Sequence, residues 1–348
     1  MDKDISFKDF SEIWFAKHTV GVSYSYKKSI KNSINHCVQS FGFKKISDVQ
    51  PGDIDDLICK LAEENPHTHK PTSKKTLQQL VNISYNIFEY ALENDLIIKN
   101  PSRNKKKKIP KNAPQKVVKA INYEQYELVL KVEQRLKLGA MLMMFSGIRR
   151  GELIALEWSD VHIEDYYNRK GIDINKSASI NNTNSFIVHS GTKNGKSRFV
   201  PIPEFLHAYL LEEKQNAISY LVCPQDNGKI QTPSTWSRYW KTYQADLNYH
   251  AFSERFKRRN PDKAIPSKFS PNGIPKVITE FNAHQLRHMY ATLLFLSGID
   301  ALTASQLMGH SSVEITLDIY THLEEQYRQI DVSKLDKFIK YDINKLKE

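Results

Sequence analysis

The 348-residue chain is too long for one small core, so its length predicts two or three domains, and a hydrophobic content of 40 % can bury a core in each. This composition excludes a disordered protein, a disulfide framework and any apolar run that approaches the roughly 20 residues needed to cross a bilayer. A formal net charge of +11 favours a polyanionic partner, either nucleic acid or an acidic membrane surface. The N-terminus carries acidic residues where a signal peptide would be basic, so we expect a cytoplasmic protein.

Residues 1–98 have the pattern of an all-helical domain. Apolar residues recur at helical spacing in four stretches, the first capped by Ser6 and the others at about 24–41, from about 51, and at about 73–93. No stretch alternates with the period of a strand, which predicts a small helical bundle.

Residues 99–119 form a basic boundary segment with nine Lys or Arg, three Pro and no acidic residue. Proline and repulsion between like charges predict that it is extended. It is either a solvated linker or a strap that lies along phosphates, and in the second case Lys105, Lys106, Lys107 and Lys108 are the candidate contacts.

From Tyr123 the pattern becomes mixed. Helical periodicity predicts three helices before residue 158, and three strands then follow at about 158–163, 171–180 and 197–202. Helices return after Pro203, interrupted by residues 251–280, which have little periodicity and resemble an inserted loop. An amphipathic tail at about 331–347 ends the chain.

An arginine motif lies in the string SGIRRGELIALEW at residues 146–158. Gly147 ends an apolar helix, and Arg149 stands at the turn into the next helix, where backbone N–H groups also point at an anion. Glu152 lies three residues later on the same helical face and can orient the guanidinium. An arginine near a helix end is usually only a surface charge, so the motif alone is weak.

A second basic side chain, Lys193, occurs in the string GTKNGKSRFVPI at residues 191–202. It occupies a Gly/Asn turn that leads into a strand, a place from which side chains project into ligand grooves. A lysine at such a turn is usually just solvated, so this signal is also weak alone.

A third group opens the string FNAHQLRHMYAT at residues 281–292. Asn282 is a predicted N-cap, and His284 and Arg287 share one helical face because they are three residues apart. An imidazole and a guanidinium at a helix N-terminus suit an anionic centre, whereas His288 faces elsewhere. The simpler interpretation is a polar helix edge.

The fourth string, LMGHSSVEITLDIYTHL at residues 307–323, supplies His310 and Tyr320. His310 follows a glycine and precedes a Ser-Ser helix start, and Tyr320 lies ten residues later in an amphipathic helix. A tyrosine in such a helix belongs to the core far more often than it acts as a nucleophile.

The joint order of these residues resembles the catalytic series of the tyrosine recombinase (phage integrase) family, represented here by Arg149, Lys193, His284, Arg287, His310 and Tyr320. The strings GIRRGEL and LMGHSS…YTH resemble the two signature boxes of that family. The likeness covers about residues 123–325 and extends more loosely to the helical N-terminal half.

The resemblance implies DNA cleavage by transesterification, in which the tyrosine forms a 3′-phosphotyrosyl link and frees a 5′-hydroxyl that is later rejoined. Arg149 and Arg287 would then bind the non-bridging oxygens, and Lys193 would protonate the leaving oxygen. His284 would assist proton transfer at Tyr320. No metal, ATP or other cofactor is implied, and no acidic cluster with metal-ligand spacing accompanies these residues.

Two further roles follow from the same resemblance. His310 would donate another hydrogen bond to the phosphate, and Glu152 would hold Arg149 from behind. The implied partners are double-stranded DNA attachment sites, a homotetramer in the synapse and a directionality factor, with no membrane.

The implied architecture is multidomain, α and α+β. Residues 1–98 would be an all-helical, SAM-like core-binding domain, residues 99–119 a basic linker, and residues 120–348 a mainly helical catalytic domain with a small antiparallel sheet and a tail helix. In the family the C-terminal segment packs into the next protomer, although the tail could equally fold back on its own domain. The first helix begins near Ser6, so we expect no arm-binding domain before it.

Two rival functions fit part of this pattern. A type IB topoisomerase uses nearly the same chemistry on one duplex, but its residue at the His310 position usually differs. A catalytically silent DNA-binding regulator would not need all six residues.

Overall fold

The computed structural model describes residues 4–115, 119–163, 169–191, 197–270 and 273–324, without the side chains of Lys106 and Lys107. The chain divides into two compact units, Met1–Val117 and Val118–Glu348. The predicted fold class is confirmed, since the first unit is helical and the second is mainly helical with small antiparallel sheets.

Unit 1 consists of four α-helices around one apolar core, namely α1 (Phe7–His18), α2 (Tyr24–Phe41), α3 (Pro51–Glu63) and α4 (Lys74–Glu93). Ser6 caps α1 as predicted, because its hydroxyl accepts a hydrogen bond from the backbone N–H of Asp9 at 3.1 Å. Phe7, Phe41 and Phe88 pack ring against ring in the core.

The basic segment 99–119 differs from its predicted extended form over its described part. Ile109 and Ala113 are buried in the core of unit 1, and Lys105–Lys108 form a 3₁₀ turn. Lys105 is itself buried, and its ammonium lies 2.8 Å from a carboxylate oxygen of Asp55. The apolar residues among the lysines explain the difference, because their burial offsets the repulsion that would extend the chain.

The described part of unit 2 contains seven α-helices and a further helical stretch at residues 314–324. The helices are α5 (Tyr123–Lys131), α6 (Lys137–Ser146), α7 (Arg150–Ile154), α8 (Glu204–Gln215), α9 (Pro233–Arg259), α10 (Ala283–Leu296) and α11 (Ala301–Met308). One large apolar core joins them, and none of the described helices is long and apolar enough to cross a membrane.

The strands of unit 2 form two antiparallel sheets. In one sheet β2 (Gly171–Ile174) pairs with β1 (Val161–His162) and with β5 (Arg198–Pro201), and in the other β3 (Lys176–Ile180) pairs with β4 (Phe186–Ser190). The sequence analysis missed β4, although its first three residues, Phe186, Ile187 and Val188, are of types that favour strands.

Two other predictions need comparison with the structure. The inserted stretch 251–280 is irregular only from about residue 260, because α9 continues to Arg259. The tail predicted at about 331–347 lies outside the described residues.

Candidate active site

The site is built around the left-handed turn that ends α6. Gly147 closes α6 with φ +62°, and a Cβ atom there would lie 2.3 Å from a ring carbon of Tyr290 on α10. Only glycine therefore allows both the turn and the close packing of α10 on α6. The turn brings Arg149, at the start of α7, near Arg287 of α10.

Arg149 is held as predicted by Glu152. The Glu152 carboxylate accepts from the Arg149 side chain (Nη1) and from its backbone N–H, each at 2.8 Å. Arg149 also donates through Nη2 to the carbonyl of Gly309 at 2.6 Å. Its guanidinium is therefore fixed in direction while a quarter of the side chain, 25 %, stays exposed.

Arg287 is the second guanidinium of the site and is 2 % exposed. It donates to the carbonyl of Gly147 and to the carbonyl of Met308, so it joins the end of α6 to the end of α11. Burial, followed by the positive charge of Arg149, lowers the pKa of Arg287 to about 9, although the charge of Glu152 acts in the opposite direction. An anion placed between the two arginines would relieve this crowding of charge.

Glu152 supplies the negative charge that the arginines need. Burial alone would raise the pKa of its carboxyl, but hydrogen bonds and charge from Arg198, together with Arg149, outweigh burial and lower the pKa to about 2. Glu152 is therefore ionised throughout the neutral range.

His284 and His288 lie on the first turns of α10. Asn282 caps the helix as predicted, accepting from the backbone N–H groups of His284 (3.0 Å) and Gln285 (3.3 Å). Burial, with Arg287 and Arg149, lowers the pKa of His284. The ring of His288 stands edge-on to that of His284 at 4.8 Å, and burial lowers its pKa to about 4. Both imidazoles are neutral at pH 7.

His310 follows α11, which ends at Gly309 in the left-handed conformation with φ +61°. The Nδ1 atom of its ring lies 2.8 Å from the hydroxyl of Thr316. Burial lowers the pKa of His310 to about 3, with contributions from Arg287 and Arg149. His310 is therefore a neutral imidazole close to both arginines.

Tyr320 lies in the helical stretch 314–324 and is 7 % exposed. Its ring packs edge-on against Phe295 at 5.1 Å, and its buried hydroxyl has no hydrogen-bond partner among the described residues. Burial, followed by the charge of Asp300, raises the pKa of Tyr320 to about 12. The phenol is therefore protonated at neutral pH.

The remaining predicted site residues, Lys193 and the four lysines at 105–108, are described only in part. Lys193 lies outside the described residues, within the 192–196 connection between β4 and β5, whereas the hairpin tip is at 181–185. Lys105 is paired with Asp55, Lys108 is exposed, and the side chains of Lys106 and Lys107 are not described.

A cavity of about 1310 Å³ opens beside Arg149 and His284. It lies between α9 and residues 268–285 and is lined by Lys241, Lys268 and Lys276 among others. The part of the insertion after residue 259 therefore borders the site with basic and aromatic side chains.

Two residues of the site were not found from the sequence. Arg198 of β5 donates to both carboxylate oxygens of Glu152, at 3.1 and 2.7 Å, and Thr316 contacts His310. The sequence around Arg198 gives no sign that this arginine contacts a carboxylate 46 positions earlier in the chain. Thr316 lies only six residues after His310, so the sequence could have suggested it as a hydrogen-bond partner of that histidine.

Among the described residues, no group of three or more His, Cys, Asp or Glu side chains could hold a metal ion. The arrangement instead gathers the two guanidiniums of Arg149 and Arg287 with the neutral imidazoles of His284, His288 and His310. Such a set can bind a phosphate, stabilise negative charge on its oxygens and move protons.

Comparison with protein families gives two matches. Residues 107–327 match the model of the phage integrase family, and residues 6–62 match the N-terminal SAM-like domain of phage integrases.

Curated relatives cover nearly the whole chain. A "Tyrosine recombinase XerC-like" protein of Caldanaerobacter subterraneus subsp. tengcongensis is 28 % identical over 97 % of this chain and 84 % of its own length. The "ICEBs1 integrase" of Bacillus subtilis is 23 % identical with the same two coverages, 97 % and 84 %.

Solved structures share the fold. The Tn1549 transposon integrase in complex with a circular intermediate DNA has a TM-score of 0.68 at 18 % identity, over 91 % of this chain and 95 % of that one. A lambda integrase dimer bound to a core site has a TM-score of 0.61 at 14 % identity, again over 91 % and 95 %.

Proposed function

The chain belongs to the phage integrase family and is a site-specific tyrosine recombinase, and from that premise we propose that Tyr320 attacks a DNA phosphate held by Arg149 and Arg287. The observation that carries this proposal is the way the two arginines are fixed. Each donates to a carbonyl at the end of α11, Arg287 to that of Met308 and Arg149 to that of Gly309. Two guanidiniums fixed in this way can bind both non-bridging oxygens without reorganising during the reaction.

The phosphate would gain further hydrogen bonds from His310. When the Thr316 hydroxyl donates to Nδ1, the proton of the neutral ring is on Nε2, which is then free to donate to a phosphate oxygen. Thr316 thus sets the tautomer that suits an anion.

Tyr320 would give its proton to a neighbouring base as its oxygen bonds to phosphorus. Neutral His284 is the candidate acceptor, because its lowered pKa leaves the ring nitrogen free to accept near pH 7. The phosphate itself would supply the missing partner of the Tyr320 hydroxyl. The product is a phosphotyrosyl link that conserves the bond energy for rejoining.

Lys193 would protonate the 5′-oxygen as it leaves. In the sequence, Lys193 comes five residues before Arg198, whose guanidinium contacts Glu152. An ammonium carries a proton that the leaving oxygen needs.

The substrate would be double-stranded DNA attachment sites at the ends of a mobile element. One curated relative is the integrase of ICEBs1, and a structural neighbour is a transposon integrase in complex with circular intermediate DNA. Amplification across joined ends in cells that carry the gene would detect an excised circle. The flanking genes could encode a directionality factor, so the assay is run with and without them. If no circle forms in either case, the result argues against excision.

The decisive functional experiment uses nicked duplexes tiled across the DNA that flanks the gene. The chain should form a protein–DNA adduct on one tile and should join strands from two separate duplexes. Tyr320→Phe is the matched control, since it removes one hydroxyl. Relaxation of a supercoiled plasmid without joining would favour a topoisomerase, and binding without an adduct would favour a silent regulator.

We also propose that four copies act in one synapse, since exchange of two duplexes requires four cleavages. A lambda integrase tetramer bound to a Holliday junction shares the fold, with a TM-score of 0.61. The amphipathic residues after Arg328 would join one protomer to the next. Deleting them should leave the melting curve and single-site binding intact and reduce joining, whereas a collapsed melting curve would mean that they fold onto their own domain.

A further inference from the structure

Three arginines meet at the last turn of α11, and the proposed chemistry uses only two of them. Arg198 donates through Nε to the carbonyl of Leu307 at 2.9 Å, directly before the carbonyls of Met308 and Gly309 that accept from Arg287 and Arg149. Three successive carbonyls thus each receive one guanidinium. The exposed carbonyls at a helix C-terminus carry partial negative charge, so this turn is suited to hold three cations together.

Glu152 is the second element of this cluster. Its side chain is 1 % exposed, and its two oxygens accept four hydrogen bonds, two from Arg149 and two from Arg198. The same carboxylate oxygen, Oε1, receives Nη1 of Arg149 at 2.8 Å and Nη1 of Arg198 at 3.1 Å. The direction of the Arg149 guanidinium therefore depends on a carboxylate that Arg198 also holds.

Arg198 itself is fully engaged with the protein. Each of its three guanidinium nitrogens donates to a protein oxygen, Nε to Leu307 and the two Nη atoms to Glu152. Its side chain is 8 % exposed. This pattern suits a residue that acts through others.

Gly309 shows how closely Arg198 packs on the turn that leads to His310. A Cβ atom at residue 309 would lie 2.8 Å from Nη1 of Arg198, and the backbone there has φ +61°. The glycine thus serves both the left-handed turn and the approach of the guanidinium.

We propose that Arg198 is a positioning residue for the phosphate site, which sets the direction of the Arg149 guanidinium through Glu152. This inference rests on the proposed function, because the site that it sets is the one that would bind the DNA phosphate. Loss of Arg198 would leave Glu152 held from one side and the Leu307 carbonyl without its donor. Arg149 would then lose its fixed direction, and charge stabilisation would weaken although Arg149 itself is present.

The test measures three properties of Arg198→Gln. They are its binding to the nicked duplex on which the unmodified chain forms the adduct, the single-turnover rate of adduct formation, and the melting temperature. We expect binding within about 2-fold of the unmodified chain and an adduct rate at least ~10-fold lower, as for the loss of a group that orients a transition-state donor. The matched control is Arg255→Gln in the same unit, which loses a bond to the Val277 carbonyl and an ion pair with Glu124 outside the site. Its adduct rate should be unchanged.

A double variant separates positioning from general destabilisation. If Arg198 acts through Arg149, Arg198→Gln should slow Arg149→Ala by less than about 2-fold, because the group that it positions is already absent. Should Arg198→Gln unfold below the assay temperature, Arg198→Lys gives the same comparison, since an ammonium cannot form the bidentate contact.

Two results would overturn the proposal. One is an adduct rate for Arg198→Gln or Arg198→Lys equal to that of the unmodified chain. The other is a double variant whose adduct rate is reduced by the product of the two single-variant reductions. If the unmodified chain forms no adduct in the same rate assay, the proposed function itself is rejected.

Discussion

The arginine cluster of this site and its proposed nucleophile, Tyr320, differ in how many contacts they make within the chain. Arg149, Arg198 and Arg287 are tied to Glu152 and to three successive carbonyls of α11, whereas the buried hydroxyl of Tyr320 has no partner among the described residues. Among the described residues, the arginines therefore have their partners already in place, whereas the tyrosine hydroxyl does not. The difference suggests that DNA, rather than the protein alone, completes the setting of the tyrosine.

Such a division has a physical advantage for a strand-exchange enzyme. A fixed guanidinium pair stabilises developing charge without reorganisation, so it is best built in advance. A phenol whose pKa is raised to about 12 by burial is inert until a phosphate and a base reach it. Cleavage would then be confined to properly assembled DNA.

The largest expected effect tests the preassembled half. Arg287→Ala should reduce the adduct rate by ~10²-fold or more, since it removes a donor to the charged oxygens. It should also lower the melting temperature, because the Gly147 and Met308 carbonyls lose their donor. Arg149→Ala should show a similar loss of rate with a smaller loss of stability, since its side chain is more exposed. Near-normal rates in both variants would contradict the comparison.

The next effect concerns Lys193. Lys193→Ala should lose most of its cleavage rate on ordinary DNA and recover on a substrate whose 5′-bridging oxygen is sulfur, because a thiolate leaves without a proton. The measurement is the adduct rate on the two substrates, with Arg149→Ala as the control that sulfur should not rescue. No recovery would remove the general-acid role from Lys193.

A moderate effect is expected on the pH dependence of stability. The pKa of His310 is lowered to about 3 in the folded chain, while an unfolded histidine titrates near its ordinary value of 6.5. The unfolded state therefore binds a proton first as pH falls through 6.5, so stability is lost progressively between about pH 6.5 and pH 3. His284 and His288 shift in the same direction.

The check is a melting series from pH 7.5 to pH 5 on DNA-free protein. His310→Gln should show a smaller drop in melting temperature than the unmodified chain, by an amount of order a few degrees. An identical drop in both would mean that His310 titrates normally. His207→Gln is a control histidine that lies away from the site, bonded to the Ile163 carbonyl.

The smallest effect separates two lysines of the basic segment. Lys108→Ala should weaken binding to every duplex slightly and reduce the salt slope by about 1, as expected for one phosphate contact. Lys105→Ala should instead lower the stability of unit 1, since Lys105 is buried against Asp55. Equal salt slopes for Lys108→Ala and the unmodified chain would leave that residue without a role in binding.

Sequence patterns predicted the parts of this structure that depend on local signals. The caps at Ser6 and Asn282, the Gly147 turn and the Arg149–Glu152 pair are all set within four residues of chain. The four helices of unit 1 follow from apolar periodicity in the same way. Local chemistry therefore carried most of the fold and half of the site.

The parts that were missed depend on contacts between distant residues. Arg198 gains its role only when β5 reaches both Glu152 and the end of α11. Residues 99–119 were predicted to be extended from their charge, but Ile109 and Ala113 are buried in the core of unit 1. In both places tertiary packing decides the structure, and a short stretch of sequence does not contain the residues that make those contacts.

Tyr320 is proposed to attack the phosphate that Arg149 and Arg287 bind. The most direct measurement is digestion of the trapped adduct, followed by mass spectrometry of the peptide that carries the nucleotide. We predict a nucleotide attached through the Tyr320 phenol, with no adduct from Tyr320→Phe although that variant still binds the duplex. A nucleotide on any other residue, or an adduct that persists in Tyr320→Phe, would contradict the account.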